Sequence, residues 1–197
     1  MTSTMSDSAE ATPEPPLRVL FVCTGNICRS PMAAAITKMR TAERGINAQV
    51  ASCGLMKSGR ATTEHGIAVM ADWGVDMSNK VSRQIDSGLV RGSDLILAMA
   101  THHARRVVGE DPSGRHKVFL LRELVGMAIT IGPRLVDAGQ TEREWLRQAD
   151  KIRRVNYKDD QPELEIEDPI GQPRPAYEAM QQELDQLLQT LISCLWP

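Results

Sequence analysis

Short apolar runs alternate along the chain with longer stretches whose apolar positions recur at helical spacing. Residues 18–23 (RVLFVC) form a continuous apolar run, the pattern of a strand buried on both faces. Ala48–Ser52, Leu95–Met99 and Lys117–Leu121 predict three further strands. After the first run, Ser30 and Pro31 supply an N-cap and a first-turn proline for a helix to about Glu43. Glu64–Trp73 reads as a helix closed near Gly74, and Thr101 as the cap of a helix through Val108. Over Ala176–Leu195, Met180, Leu184, Leu187, Leu188 and Leu191 share one helical face, predicting a long amphipathic helix packed on the sheet. Strand–helix alternation with apolar strands predicts an α/β fold around a four-stranded parallel sheet covered on both faces.

Two segments depart from that rhythm. Residues 1–16, rich in Ser, Thr, Glu and Pro, have almost nothing to bury and read as a disordered tail. Residues 126–165 read as an insertion in a single domain spanning 17–197. Within it, Thr141–Tyr157 is expected to be a solvated surface helix, with Trp145, Ala149 and Ile152 on one face and basic residues opposite. The acidic stretch DDQPELEIED (159–168) reads as a loop. No internal repeat is evident.

Composition narrows the class. The 197 residues are 42% hydrophobic and 24% charged, a normal balance for a soluble globular protein. A formal charge of -2 argues against a whole-protein footprint for nucleic acid. Four cysteines (Cys23, Cys28, Cys53, Cys194) are too few and scattered for a disulfide framework, and no C-x-x-C pair suggests zinc. The first 16 residues lack the basic start and apolar stretch of a signal peptide, and no apolar run approaches the roughly 18 residues of a membrane span. A cytoplasmic protein with reduced thiols is the expectation. Aromatic residues make up only 4%.

The chemistry concentrates in VLFVCTGNICRSPMAAA, residues 19–35. A buried strand ends on Cys23, a tight loop turns, and Arg29 and Ser30 open a helix. The unpaired N–H groups of a helix start attract anions, and a loop that curls its amides inward completes a nest for a phosphate-sized oxyanion. Gly25 and Asn26 suit the left-handed or otherwise awkward backbone of such a curl. In that positive field the Cys23 thiolate should be stabilised. The planar guanidinium of Arg29 can grip two oxygens side by side. Together they are poised for in-line attack on a bound phosphoryl group.

These residues resemble the active-site loop of low-molecular-weight protein tyrosine phosphatases, C-x-x-N-x-C-R-S-P. Residues 66–78, the Ser82–Arg83 pair, 93–103, 117–125 and EDPIGQPRPAY (167–177) are similar to that family as well. The resemblance implies a three-layer, flavodoxin-like sandwich with the phosphate-binding loop after strand 1. It implies Cys23 as nucleophile, Arg29 as the phosphate-binding arginine, Asn26 as the residue holding the loop, and Ser30 as a donor to the thiolate. Thr24, Gly25, Asn26, Ile27, Cys28 and Ser30 would line the substrate phosphate. Asp168 would be the general acid and then the base, cleaving phosphomonoesters through a cysteinyl-phosphate without cofactor or metal. Asp159, Asp160, Glu163, Glu165 and Glu167 would raise its pKa if they lie close. In the family the cysteine matching Cys28 can form a disulfide with the nucleophile; a small buried apolar role is the alternative. The implied substrate is a phosphorylated protein or an aryl phosphate.

Three positions depart from the family pattern. Lys80 stands where a histidine often braces the loop asparagine. Ile170 follows the Asp-Pro pair in place of aromatic wall residues, and residues 52–62 offer no Trp or Tyr. Ile27 suits an aromatic substrate better than a charged guanidinium phosphate, and Trp145 or Tyr157 could supply the rim if the insertion folds over the pocket. The four histidines, His65, His102, His103 and His116, are scattered and read as surface or capping residues rather than metal ligands. An arsenate reductase of the same fold would need relay cysteines, and LILAMATHHARR has none. A phosphopeptide-binding protein without turnover would lack Cys23, Arg29 or Asp168. A nucleotide-binding flavodoxin-like domain would need a glycine-rich phosphate motif after a strand, which is not found.

Overall fold

The computed structural model describes residues 15–153, 157 and 159–197. The expected tail, residues 1–16, lies outside them except for Pro15 and Pro16. Four parallel strands, β1 (Leu17–Cys23), β2 (Ala48–Gly54), β3 (Leu95–Ala98) and β4 (Val118–Leu120), pair in the order β2-β1-β3-β4. The register sets Cys23 beside Gly54, and Val22 between Cys53 and Ala98.

Side chains alternate along β1, which explains its unbroken apolar run. Val19 and Phe21 face one core, with α1 (Arg29–Glu43), α2 (Glu64–Ala71), α5 (Leu121–Ile131), α6 (Glu142–Ile152) and α7 (Arg174–Leu195) packed over it. Leu20 and Val22 face the other, beneath α3 (Ser87–Gly92) and α4 (Thr101–Glu110). The result is the expected three-layer α/β sandwich. Strand order reverses at β1, so the crevice beyond its carboxyl end is the natural ligand position.

Local reasoning erred at several element ends. Ser30 is not an N-cap: α1 begins at Arg29, Cys28 holds the cap position, and no side chain caps the helix. Thr101 is likewise the first residue of its helix. Its N–H is received at 2.8 Å by the carboxylate of Glu165, while its own hydroxyl accepts from the Gln161 N–H. Helix α3 was not anticipated. Nor was α5, which starts directly on the end of β4, where Glu123 bonds back to the Leu120 N–H at 3.0 Å.

Helix α6 is not the solvated surface helix expected, and it stops at Ile152 rather than Tyr157. Thr141 and Glu144 close a reciprocal capping box at its start. Trp145 and Ala149 are fully buried in the main core, while Ile152 is exposed. The Trp145 indole donates to the Gly132 carbonyl at 3.0 Å, so its one polar atom is satisfied in the interior. Residues 154–156 and 158, which the expected helix or its flank included, lie outside the described residues. Trp145→Ala should therefore destabilise the fold by about 3–5 kcal/mol through the cavity it leaves. Urea unfolding followed by circular dichroism measures this, and a loss below about 1 kcal/mol would contradict the burial argument.

Candidate active site

Cys23 ends β1 at the carboxyl edge of the sheet, and residues 24–28 curl back to the start of α1. The curl depends on Asn26, whose φ of 51° is left-handed. Asparagine enters that region more easily than most residues because it lacks Cβ branching and can bond locally. Its amide donates at 2.9 Å to Ser30 Oγ and at 2.9 Å to Ser52 Oγ, and its carbonyl accepts from the Arg83 N–H at 2.9 Å. Helix α1, strand β2 and the 80–86 loop are thus tied to one side chain. Lys80, the departure from the family pattern, has no part in this bracing; it is half-buried, and burial pushes its ammonium pKa down.

The loop also needs Gly54. A Cβ there would stand 2.7 Å from the Asn26 nitrogen and 2.8 Å from the Thr24 carbonyl oxygen, backbone contacts that cannot yield. Gly25 is not left-handed; a Cβ on it would press on Ile27 and on the Arg60 guanidinium at 3.2 and 3.3 Å. The Thr63 N–H straps the far side by donating to the Ile27 carbonyl at 2.9 Å.

At the floor, Cys23 Sγ receives the Asn26 N–H at 3.3 Å and lies 3.0 Å from Ser30 Oγ, which also donates to the Cys53 carbonyl at 3.1 Å. The hydroxyl expected to cap a helix faces the sulfur instead, and the first-turn N–H groups of α1 are left for an anion. Cys28 is a buried free thiol. Burial, with the nearby charges of Asp168 and Cys23, pushes its pKa up to about 12, so it stays protonated at neutral pH.

Arg29 is buried and spans to the opposite wall. It donates to the Ile166 carbonyl at 3.1 Å and to Asp168 Oδ2 at 2.5 Å. Asp168 thus comes into the site on a segment pinned by Ile166, whose N–H bonds the Met99 carbonyl at the end of β3. The acidic neighbours in sequence are used elsewhere. Glu165 receives the Thr101 N–H, and Asp160 pairs with Arg105. A cleft of about 530 Å³ joins Thr24, Arg29, His102, Arg122, Glu165 and Asp168. Asn26, Ser30, Cys28 and Ile27 sit in the loop beside it, so the predicted residues converge.

Sequence reasoning missed His103. It is fully buried, and its Nε2 bonds the Thr24 hydroxyl at 2.8 Å, holding the loop from the α4 side. Its Nδ1 has no partner. Burial first, then the charges of His102 and Arg29, lower its pKa to about 2, and the ring is neutral. The only sequence signal was its place two residues into a helix that starts beside the expected site.

A sequence profile for the low molecular weight phosphotyrosine protein phosphatases matches residues 18–132. The chain belongs to that family. The phosphatase is 38% identical over 109 residues to the protein-arginine-phosphatase of Bacillus subtilis, an alignment covering 54% of this chain and 71% of the relative. It is 39% identical over 106 residues to a probable low molecular weight protein-tyrosine-phosphatase, EpsP, of Ralstonia solanacearum, with the same coverage. Among solved structures, the low molecular weight protein tyrosine phosphatase of T. tengcongensis superposes with a TM-score of 0.68 at 29% identity, over 89% of this chain and 97% of that one. The YwlE arginine phosphatase of Geobacillus stearothermophilus gives 0.65 at 26%, over 89% and 90%. Phosphatase chemistry therefore stands over arsenate reduction and over phosphopeptide binding without turnover.

Trp145 and Tyr157 of the phosphatase do not supply the aromatic rim. Trp145 is inside the core, and Tyr157 is buried with its hydroxyl donating to Glu123 at 2.6 Å, near the Val118 carbonyl at 3.0 Å. Among the described residues no group of His, Cys, Asp or Glu is arranged to hold a metal ion, and no helix is long and apolar enough to cross a membrane.

The neutral His103 has a thermodynamic consequence. An unfolded histidine binds a proton below about pH 6.5, whereas the folded one does so only near pH 2. The unfolded state therefore gains the extra proton, and stability falls as pH drops through 6.5, by up to about 1.4 kcal/mol per unit. His103→Gln can keep a bond to Thr24 without titrating. Its Tm should fall less than that of the wild type between pH 6.5 and 4.5, and identical slopes would contradict the assignment.

Proposed function

We propose that this phosphatase hydrolyses phosphotyrosine in proteins, with Cys23 as nucleophile, Arg29 as the phosphate-binding residue and Asp168 as general acid. The observation that carries the reading is the Cys23 sulfur under an amide and a hydroxyl, with the Arg29–Asp168 pair across the same cleft. The thiolate attacks phosphorus in line, an S–P bond forms and the P–O bond to the tyrosyl oxygen breaks. Arg29 and the loop amides, among them those of Gly25, Asn26, Ile27 and Cys28, would take the equatorial oxygens. Asp168, released from Arg29 as phosphate arrives, takes up a proton from solvent and gives it to the leaving oxygen. It then takes a proton from water as that water cleaves the S–P bond, returning phosphate and the Cys23 thiolate.

Side chains around the cleft favour tyrosine over arginine. Ile27 offers aliphatic surface on the loop, and Arg60 lies over Gly25. Arg122 and His102 line the opposite wall. Glu165, Glu167 and Asp168 share that lining and Arg122 is paired with Glu183, so the preference rests on the aliphatic surface of Ile27 and not on charge. We further read the chain as one phosphatase domain over 17–197 with a tail and an insertion at about 126–165. Its setting would be cytoplasmic, where the nucleophile stays reduced, and Cys28 would trap an oxidised Cys23 as a disulfide.

Cys23→Ser should abolish hydrolysis of 4-nitrophenyl phosphate, and full activity in that variant would sink the mechanism. Asp168→Ala should lower kcat by about 10²- to 10⁴-fold on a phosphotyrosine peptide. The loss should be much smaller on 4-nitrophenyl phosphate, whose leaving group needs no proton; equal losses would remove Asp168 from the acid role. Steady-state kcat/KM for matched phosphotyrosine and phosphoarginine peptides tests the substrate. A higher value for phosphoarginine would overturn the tyrosine reading while leaving the phosphatase mechanism intact.

A further inference from the structure

Helix α6 carries Arg143, Arg147 and Lys151 at steps of four residues, so the three project from one face. They line a cavity of about 490 Å³ together with Arg18, Arg91 and Lys117 from the amino-terminal edge of the sheet. Six cations thus surround one concavity, against two carboxylates, Asp94 and Asp150.

Both carboxylates are committed. Asp94 receives the Arg18 N–H, pairs with its guanidinium at 3.0 Å, and pairs with Arg143 at 3.0 Å. Asp150 lies 3.3 Å from Arg153, outside the cationic face. Lys117 is half-buried, its ammonium donating to the Ser93 carbonyl at 2.8 Å, and burial holds its pKa below the ordinary value. Arg147 has the exposed Glu144 at 3.6 Å, so six cations face three carboxylates and positive charge remains in excess there, in a chain whose net charge is -2. The cavity is not part of the catalytic cleft. Arg18 is the second residue of β1 and Cys23 its last, which separates the two by about 17 Å along the strand.

We propose that this cavity is a second anion site, which binds a short chain of condensed phosphates, as in inorganic tripolyphosphate or the tail of a nucleoside triphosphate. The volume lies in the range of small-ligand pockets, which suits a compact polyanion rather than an extended nucleic acid. Guanidinium groups bind phosphate oxygens in pairs, and cations spread over two walls match several linked phosphates better than one. Leu146 is the one apolar side chain lining the cavity, so the phosphates and not a base would carry recognition.

Isothermal titration of the full chain with tripolyphosphate, ATP and orthophosphate tests the proposal. Tripolyphosphate should bind at least tenfold more tightly than orthophosphate. Arg147→Ala combined with Lys151→Ala should weaken tripolyphosphate at least tenfold, with the circular dichroism spectrum and the KM for 4-nitrophenyl phosphate unchanged. Both side chains are exposed, so the fold does not rest on them. ATP binding equal to that of tripolyphosphate identifies the phosphate chain alone as the ligand. ATP binding at least tenfold tighter identifies nucleotides as the source. Undiminished binding by the double variant, or no preference over orthophosphate, would overturn the proposal.

Discussion

The left-handed backbone at Asn26 is the constraint on which the catalytic loop depends. A glycine could adopt the conformation, but it would lose the amide that reaches Ser30, Ser52 and the Arg83 N–H. Most other side chains would strain it. Asparagine meets both demands, and its own N–H then points at the Cys23 sulfur. Gly54 completes the requirement from below, since the loop lies directly on the end of β2. The environment of the Cys23 sulfur is thus fixed by backbone geometry and one amide side chain, with His103 holding Thr24 from the other side.

A second coupling joins the two walls of the cleft. Arg29 belongs to α1 and Asp168 to a segment almost 140 residues later, yet the two meet through a charge-assisted bond at 2.5 Å. That contact requires the Ile166 anchor on β3 and the Glu165 contact with the start of α4. In the proposed reaction Arg29 exchanges this partner for phosphate, which frees the acid near the leaving oxygen. Binding and proton delivery are then linked through one residue.

Much of this was legible in the sequence, and each failure turns on a polar contact. The four strands declared themselves because burial on both faces makes them continuously apolar, and α7 because one face is buried. The loop was legible because an anion nest demands Gly, Asn and Arg at close spacing. Periodicity alone could not find the boundary between Val118–Leu120 and α5, because the apolar run crosses it unbroken and a bond from Glu123 decides it. Ser30 satisfied every local criterion for a cap and was claimed by Cys23 and the Cys53 carbonyl. His103 offered no pattern, since its partner Thr24 lies 79 residues away. At Ser30 and His103 the deciding contact came from another part of the chain, whereas at α5 it was a bond between residues three apart that apolar periodicity does not register.

The scarcity of aromatics has a structural answer. The chain has seven, and most are spent on the interior. Phe21, Phe119 and Trp145 are fully buried, Tyr157 and Tyr177 nearly so, and Trp73 and Trp196 pack at the margin of the main core. None lines the catalytic cleft. Tyr157 and Phe119 are further committed by Arg153, whose guanidinium lies 3.8 Å from the Phe119 ring centroid and 5.7 Å from that of Tyr157. Moving any of these rings to the rim would open a cavity costing several kcal/mol, a large share of a domain's net stability. The rim is left with Ile27, Arg60, His102 and Arg122 beside the carboxylates of Glu165, Glu167 and Asp168, and no ring stands there to stack on a substrate.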